Sequence, residues 1–404
     1  MLETLLTRRR FTGSLAAAAA SFLARPAATA TSAGAVTPAS TPPGTAAAPA
    51  GNAPSAAAPA GIGARDIRLD SNENPYGPPP AAVRAMAGSV AAAARYPDPH
   101  ETPLIDDLAR HHGVAPENIL LGCGSGEILK MADMAFLGPR QNVVAAEPTF
   151  EAVLRFAGLA RAGAMKVSLT TEFRHDLKAM AAACGKETGL AYVCNPNNPT
   201  GTIVAGRALT AFLAAVPRHT VVLVDEAYHH FVEDPAYESA AGWTGRYPNL
   251  VVVRTFSKIY GLAGMRLGYA IAAPERIDAM RPHAVWSNGN VAVLEAARAC
   301  LADQAQVART RRAMNDTRGW LCGELEKDGR RIIPSQTNFV MIDLGTDVQP
   351  VRDALAARGI HVGRRFPSMA RWLRVSIGTP DETAAFLAAL REVAPAAAKS
   401  SRAA

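Results

Sequence analysis

The sequence lacks the residue patterns that mark metal-binding, disulfide-framework and nucleic-acid-binding proteins. Its five cysteines include no C-x-x-C pair, and an odd number does not suit a disulfide framework. Its nine histidines include no H-E-x-x-H or comparable ligand spacing, so we predict no metal site. The formal net charge of +7 is small for 404 residues, and the positive residues are scattered. A nucleic-acid partner requires a clustered basic face, so none is predicted.

The N-terminus has no apolar run long enough to span a bilayer, which takes ~20 residues. The run from Leu15 to Leu23 follows Thr7-Arg-Arg-Arg-Phe11 and precedes Ala28-Thr-Ala30. This arrangement over residues 1–30 resembles a twin-arginine signal peptide with a small-residue cleavage site. We therefore expect passage through the twin-arginine export machinery, a periplasmic or extracytoplasmic mature protein, and no stable membrane association. The alternatives are a basic amphipathic N-terminus or a misassigned start codon, which would leave the protein in the cytoplasm.

Residues 31–64 contain almost only Ala, Pro, Thr, Ser and Gly. Such a segment cannot bury enough apolar surface to offset its ordering entropy, so we predict a disordered linker. We predict the same for the tail at residues 396–404.

The chain between these segments is rich in short, continuous apolar runs separated by helical patterns. Runs of this kind are typical of strands buried on both faces, in a parallel sheet with helices on both sides. The sequence therefore predicts an α/β fold. The runs are 119–121, 142–146, 191–194, 221–224 and 251–253.

The last of these runs leads into the turn Thr255-Phe-Ser257, which ends in Lys258. A lysine directly after a buried strand is well placed to lose hydration, which lowers the pKa of its amine and favours Schiff-base chemistry. Nearby hydroxyls and Arg266 are suited to bind a phosphate dianion. An isolated Ser-Lys pair is usually only a surface lysine after a strand. The motifs upstream favour the chemical interpretation.

Three upstream motifs lie at the ends of predicted strands. The glycine-rich Leu120–Glu127 stands between a strand and a helix, where backbone N–H groups face an anion. Asp225 ends the run Val221-Val-Leu-Val, at the strand end where open α/β sheets bind ligands. The third motif is Ala191-Tyr-Val-Cys-Asn-Pro-Asn-Asn-Pro-Thr-Gly201.

With Asp70-Ser-Asn-Glu-Asn-Pro-Tyr-Gly77 and Leu373-Arg-Val-Ser-Ile-Gly-Thr379, these motifs occur in the order of one known family. The sequence resembles fold-type I pyridoxal-phosphate (PLP) aminotransferases. Within that fold it is most similar to histidinol-phosphate aminotransferases, over roughly residues 66–392. The resemblance implies a PLP transferase fold type I, in which a mostly parallel seven-stranded sheet lies between helices beside a smaller α+β domain.

The resemblance also implies a domain plan and a homodimer. We expect an N-terminal arm and part of the small domain at 65–100, the large PLP-binding domain at 101–300, and the small C-terminal domain at 301–395. The expected partners are a second copy of the chain and small-molecule amino acid and 2-oxo acid substrates.

By resemblance, Lys258 forms a Schiff base with PLP and then moves the Cα proton. Asp225 keeps the ring nitrogen protonated, and Phe150 stacks on the ring. Asn198 and Tyr228 contact the phenolic oxygen, so the implied catalytic residues are Lys258, Asp225 and Tyr228. The implied phosphate ligands are Ser125, Gly126, Thr255, Ser257, Arg266 and, from the partner subunit, Tyr96.

Arg374 matches the family arginine that binds the substrate carboxylate, with Tyr76 and Asn198 beside it in the substrate pocket. One segment departs from the family. Its members commonly carry V-R, whereas this chain has Val362-Gly-Arg-Arg-Phe-Pro367, so the partner of the substrate's distal group is unassigned between Arg364 and Arg365.

We therefore expect a transaminase of the EC 2.6.1 type. It would move an amino group between a histidinol-phosphate-like or aromatic amino acid and a 2-oxo acid such as 2-oxoglutarate. One alternative is a PLP-dependent decarboxylase or lyase, against which the retained Arg374 argues. Another is a catalytically silent PLP-binding or regulatory module, against which the joint retention of Lys258 and Asp225 argues.

Overall fold

The computed structural model describes residues 66–395, so the predicted signal peptide, linker and C-terminal tail lie outside the described residues. In chain order the strands are β1 (Ile67–Leu69), β2 (Ile119–Gly122), β3 (Asn142–Glu147), β4 (Gly163–Ser168), β5 (Thr188–Cys194), β6 (Val221–Asp225), β7 (Leu250–Thr255), β8 (Gly268–Ala272), β9 (Ile332–Ile333), β10 (Phe339–Asp343), β11 (Ile360–Val362) and β12 (Trp372–Ser376).

The α-helices cover both the segments between strands and the C-terminal region. They are α1 (Pro80–Ser89), α2 (Asp98–His112), α3 (Ser125–Phe136), α4 (Ala152–Leu159), α5 (Leu177–Ala183), α6 (Gly206–Ala215), α7 (Pro274–Met280), α8 (Val291–Ala302), α9 (Gln304–Lys327), α10 (Gln349–Ala356) and α11 (Pro380–Val393). Within residues 66–395, no helix has the length and apolar character needed to cross a membrane.

Seven strands form the central sheet, in the order β2-β8-β7-β6-β5-β3-β4. Strands β4, β3, β5, β6 and β7 run parallel to one another, and β8 runs antiparallel to both of its neighbours. The predicted mostly parallel seven-stranded sheet between helices is thereby confirmed. The sequence patterns did not predict β8 as a strand of this sheet.

Strand β6 shows why the apolar runs are continuous. All five of its residues are buried. Val222 and Val224 belong to the apolar core on one face of the sheet, and Val221 and Leu223 belong to the core on the other. A strand covered on both faces needs apolar side chains at every position, which gives a run instead of an alternation.

Two smaller sheets accompany the central one. Strand β1 pairs in parallel with β11, and β10 lies between β9 and β12 in an antiparallel sheet. The sequence also predicts strands at 332–333, 339–342 and 374–377 and a long helix over about 304–328, and β9, β10, β12 and α9 lie close to these bounds. The sequence did not predict β1 and β11. All described residues belong to one compact unit, and the expected domain boundaries at 100/101 and 300/301 stay predictions.

The topology brings the ends of several strands to one edge of the central sheet. The carboxyl ends of parallel strands face the same way, so the residues that follow β3, β5, β6 and β7 lie close together. These ends carry the segments around Phe150, Asn198, Asp225 and Ser257.

Candidate active site

A cavity of about 660 Å³ lies at this edge of the sheet. Its size is within the range of small-molecule and cofactor sites. Most of the predicted site residues line it. Arg374 lies within β12, and the others follow or end strands of the central sheet or lie in the loop before β8. The predicted residues that line it are Ser125, Gly126, Phe150, Asn198, Asp225, Tyr228, Thr255, Ser257, Lys258, Arg266 and Arg374.

Two predicted residues do not line the cavity of the single chain. Tyr96 is 78% exposed, just before α2, and Tyr76 is exposed in the turn that follows β1. Tyr96 is expected to contact the cofactor phosphate in the partner subunit, and a single chain does not contain that contact. For Tyr76, the expected place in the substrate pocket is not seen in this chain.

Lys258 lines the cavity and is half-buried in the segment after β7. Its Nζ donates a hydrogen bond to the main-chain oxygen of Ser71 at 3.1 Å. It also lies 5.6 Å from the centroid of the Tyr228 ring. Loss of hydration lowers the pKa of this amine to about 8, and the nearby Arg374 cation acts in the same direction. A neutral, nucleophilic amine is therefore accessible near neutral pH.

Asp225 ends β6 and is only 2% exposed. Its Oδ1 accepts a hydrogen bond from the Ala227 amide at 3.1 Å, and its Oδ2 accepts one from the Tyr192 hydroxyl at 2.9 Å. Burial raises the pKa of the carboxyl to about 6, while both hydrogen bonds oppose that rise. Above that pH the cavity has a fixed carboxylate.

Hydroxyls, a helix start and an arginine form an anion cradle at one end of the cavity. The Thr255 hydroxyl donates to Ser257 Oγ at 2.9 Å, and Arg266 Nη1 lies 3.4 Å from the same oxygen. Helix α3 begins at Ser125 with no side chain capping its first amides, which are free to face an anion. Gly124, at φ +77°, precedes it, and a Cβ there would collide with the Arg266 guanidinium.

Arg266 has a left-handed backbone, φ +61°, which is costly for a residue with a side chain. Its guanidinium donates a hydrogen bond to the Ala263 carbonyl at 2.8 Å, and the same Nη1 lies 3.4 Å from Ser257 Oγ in the cradle. Strain held in place by the fold in this way is common at ligand sites.

The residues fit PLP. The cradle has the donors that a phosphate needs, Lys258 supplies an amine that can bond to an aldehyde, and Asp225 supplies a buried carboxylate for a ring nitrogen. The cradle, the amine and the carboxylate all line one cavity, as a single ligand with these three groups requires.

The cavity wall contains a contact that the sequence did not predict. Asn72, at φ 54°, donates through Nδ2 to the Tyr228 hydroxyl at 3.0 Å and accepts a hydrogen bond from Ser376 Oγ at 3.1 Å. Asparagine tolerates the left-handed region better than most residues, which suits it to this turn. The motif Asp70–Gly77 pointed to the segment but not to Asn72 itself.

Arg374 lies on β12 and is 8% exposed. Its Nη1 donates to Asn198 Oδ1 and its Nη2 to the Asp70 carbonyl, both at 2.7 Å. Its buried Nε has no hydrogen-bond partner among the described residues. Because Arg374 lines the cavity, its guanidinium can bind a ligand oxygen there. Because Asn198 uses its oxygen for Arg374, its amide NH₂ is the group that it can offer to a cofactor.

The structure separates the two arginines of the departing segment. Arg364 lines the cavity, where Nη2 lies 2.8 Å from Glu151 Oε2 and the guanidinium lies 4.3 Å from the Phe366 ring centroid. Arg365 instead pairs with Asp347 at 2.6 Å and does not line the cavity. Of the two, Arg364 is the one that can contact a substrate.

Comparison with known proteins agrees with this geometry. The chain is 40% identical to a histidinol-phosphate aminotransferase of Moorella thermoacetica over 337 residues, 82% of this chain and 86% of that protein. It is 39% identical to an aromatic amino acid aminotransferase of Thermobifida fusca over 331 residues, 82% of this chain and 91% of that protein. The structure of histidinol-phosphate aminotransferase from Sinorhizobium meliloti in complex with pyridoxal-5'-phosphate superposes with a TM-score of 0.77 at 29% identity, covering 81% of this chain and 90% of that one.

Residues 64–390 match the family described as aminotransferase class I and II. This match covers Lys258, Asp225 and Arg374. The chain belongs to the aminotransferase class I and II family.

Proposed function

We propose that this aminotransferase uses PLP to move an amino group between a histidinol-phosphate-like or aromatic amino compound and a 2-oxo acid such as 2-oxoglutarate. The observation that carries the proposal is the meeting of Lys258, Asp225 and Arg374 in one cavity, beside an anion cradle. Two relatives support the two substrate classes: one is named a histidinol-phosphate aminotransferase and the other an aromatic amino acid aminotransferase.

When bound, PLP supplies an aldehyde that condenses with amines and a ring that accepts electrons from the substrate Cα. The protein positions and protonates the reacting groups. Lys258 provides the amine that holds the cofactor and, once released by an incoming substrate amine, takes up and returns the Cα proton. Its pKa of about 8 suits both tasks near neutral pH.

Arg374 orients the substrate. Its guanidinium lines the cavity and is held by Asn198 and by the Asp70 carbonyl, so its position is fixed before a substrate carboxylate binds. Such an arginine would hold the substrate carboxylate and thereby set how the substrate lies in the cavity. Holding the carboxylate in place favours loss of the proton over loss of CO₂, so the decarboxylase or lyase alternative is the weaker one.

The distal group of the substrate lies towards Arg364 and Phe366, which both line the cavity. Phe366 is buried, with the Arg374 guanidinium 5.3 Å from its ring centroid. An aromatic side chain can pack against this ring, and an anionic group can pair with Arg364. The two substrate classes would therefore contact different residues of the same pocket.

We also propose that the enzyme is a homodimer. Two large aromatic side chains are exposed in the single chain, Trp286 at 91% and Tyr96 at 78%. Asn288 donates to Glu127 in α3 at 2.8 Å, which ties the Trp286 segment to the helix that starts at the cradle. Exposed apolar groups beside a binding site are typical of an interface.

The Tyr96 role can be tested by mixing variant subunits. If Tyr96 contacts the phosphate of the neighbouring subunit, a mixed dimer of Lys258→Ala and Tyr96→Ala chains contains one intact site. Mixing should then restore activity above that of either variant alone. No recovery in a dimer shown to be mixed by mass would place Tyr96 outside the neighbouring site.

We further propose export by the twin-arginine route, on the basis of Thr7-Arg-Arg-Arg-Phe11 and the apolar run after it. PLP is made in the cytoplasm, and a route that carries folded proteins would deliver the enzyme already loaded. The small number of cysteines fits this proposal, because folding in a reducing compartment does not rely on disulfides.

The substrate proposal is tested with purified holoenzyme and a panel of amino donors. Histidinol phosphate, phenylalanine, tyrosine, histidine and aspartate are each supplied with 2-oxoglutarate, and glutamate formation and CO₂ release are measured. We expect glutamate from the first three donors above all. Release of CO₂ without glutamate would instead support the decarboxylase alternative.

A further inference from the structure

Tyr192 makes a contact with Asp225 that the mechanism above does not use. Its side chain is fully buried in β5. Its hydroxyl donates to Asp225 Oδ2 at 2.9 Å, and the other carboxylate oxygen accepts from the Ala227 amide. Each carboxylate oxygen thus has one donor from the protein.

The sheet register fixes this contact. In the pairing of β5 with β6, Cys194 lies opposite Asp225 and Tyr192 lies opposite Leu223. Tyr192 is therefore the diagonal neighbour of Asp225 on the adjacent strand, within reach of a long aromatic side chain. Its ring packs in the apolar core with Leu223, so the hydroxyl has little freedom to move away.

The hydroxyl has a definite electrostatic effect. Burial raises the pKa of Asp225, and the hydrogen bond from Tyr192 is the strongest effect that lowers it. The nearby Glu226 carboxylate raises that pKa, and the Lys258 ammonium lowers it. Burial and the Asp225 charge also raise the pKa of Tyr192 well above its usual value, so Tyr192 stays a neutral donor.

We infer that Tyr192 is a positioning residue for Asp225, whose hydroxyl keeps the carboxylate ionised and fixed against the cavity so that the ring nitrogen of the bound cofactor stays protonated. A proton shared by a ring nitrogen and a carboxylate resides on the more basic of the two. The Tyr192 hydrogen bond makes the carboxylate less basic. The proton is thereby left on the ring, where it makes the cofactor a better electron acceptor.

The inference rests on the proposed function for its cofactor but not for its substrate. It is tested with holoenzyme loaded with PLP that carries ¹⁵N at the ring nitrogen, whose chemical shift reports protonation directly. Tyr192→Phe removes only the hydroxyl. We expect its ring-nitrogen chemical shift to move from the protonated towards the neutral value. The pH at which half of the ring nitrogens are protonated should fall by about one unit.

The same variant should lose about tenfold or more in kcat, while KM for the amino donor stays within about twofold. The matched control is Tyr269→Phe, because the Tyr269 hydroxyl is also buried and bonds His112 at 3.0 Å, outside the cavity. In the Asp225→Asn background, Tyr192→Phe should cause no further change in the signal.

A wild-type ring-nitrogen chemical shift in folded Tyr192→Phe holoenzyme would overturn the inference. The inference would also fail if Tyr192→Phe reduced ring-nitrogen protonation as much in the Asp225→Asn background as in the wild type. If Tyr192→Phe does not fold, 3-fluorotyrosine at position 192 takes its place, since it keeps the ring and strengthens the hydroxyl as a donor. It should hold the ring proton at least as firmly as wild type, and weaker protonation would refute the role. Should no donor be transaminated, the proposed function fails, while the ring-nitrogen signal still decides the role of Tyr192.

Discussion

Arg364 and Glu151 form an ion pair at the mouth of the cavity, with Nη2 and Oε2 2.8 Å apart. The pair joins the segment after β11 to the residue that precedes α4. Both side chains are about half exposed, and such pairs contribute little stability, on the order of 1 kcal/mol or less. An anionic group of the substrate can therefore replace Glu151 as the partner of Arg364.

The first prediction follows from this pair. Arg364→Gln should raise KM about tenfold for a donor with an anionic distal group, because it loses a charge-assisted hydrogen bond. KM for phenylalanine should change by less than about twofold, since a neutral ring does not need the charge. Arg365→Gln is the matched control and should behave as wild type, because Arg365 pairs with Asp347 outside the cavity. Equal losses for both donors would argue against the assignment.

A second prediction concerns Lys258. Lys258→Ala should abolish turnover while PLP still binds without a covalent bond. In the wild type, the rate at which cofactor-free enzyme bonds to PLP should rise as the pH approaches about 8 and level off above it, because the amine is nucleophilic only after it loses its proton. Stopped-flow absorbance measures this rate, and Lys166→Ala on the exposed surface is the control. A rate that falls with pH in this window would contradict the pKa assignment.

The third prediction separates binding of the carboxylate from binding of the side chain. Arg374→Ala should raise KM for every α-amino acid by a similar factor, about tenfold to a hundredfold, because all of them carry the same carboxylate. Arg371→Ala is the control, since Arg371 lies near the start of the same strand and pairs on the surface with Asp343. Steady-state kinetics with three unrelated amino acids measures the effect. If binding is unchanged, the carboxylate site lies elsewhere.

The fourth prediction concerns stability. Glu226 follows Asp225 and forms a buried ion pair with Arg254, which precedes Thr255. Glu226→Gln should lower the free energy of unfolding by about 3–5 kcal/mol, because it leaves a buried guanidinium without a counter-charge. Lys166→Ala, which breaks an exposed pair with Glu147, should cost less than about 1 kcal/mol. Urea unfolding of both variants measures the two free energies. A similar loss of unfolding free energy in both variants would show that burial of the Glu226–Arg254 pair does not increase its contribution to stability.

The fifth prediction concerns export. Arg8→Lys combined with Arg9→Lys should leave active holoenzyme in the cytoplasm, because the twin-arginine machinery recognises the arginine pair. Wild-type protein should be found outside the inner membrane, shortened near Ala30 and already carrying PLP. Cell fractionation with N-terminal sequencing checks both statements. Full-length active enzyme confined to the cytoplasm of its native host would refute the proposal.

Local patterns predicted the parts of the structure that depend on near neighbours. The run Val221–Val224 predicted a strand with a core on each face, and the observed β6 has both. The motif around Lys258 predicted a desolvated amine, and burial does lower its pKa. In each case the cause lies within a few residues of the feature.

The parts that were not predicted depend on contacts between distant segments. Tyr192 reaches Asp225 only because of the register between β5 and β6, and the sequence of either strand alone does not determine that register. Arg374 and Asn198 were placed in one pocket only by resemblance, because the hydrogen bond between them joins residues 176 positions apart in the chain. Strand β8 joins the central sheet by antiparallel pairing with β2 and β7, and β2 lies far earlier in the chain.

The cavity wall includes main-chain atoms from the start of the described chain. The carbonyl of Asp70 accepts from Arg374, the carbonyl of Ser71 accepts from Lys258, and the Asn72 amide donates to Ser376. Because the carbonyl group is the same in every residue, substitution at Asp70 or Ser71 would leave these two main-chain contacts in place, whereas a break in the chain would remove them. Removal of N-terminal residues therefore leaves the cavity wall intact only if the removed segment ends before Ile67, where β1 begins. A cut a few residues later would yield a protein with its central sheet whole and its amino-group chemistry lost.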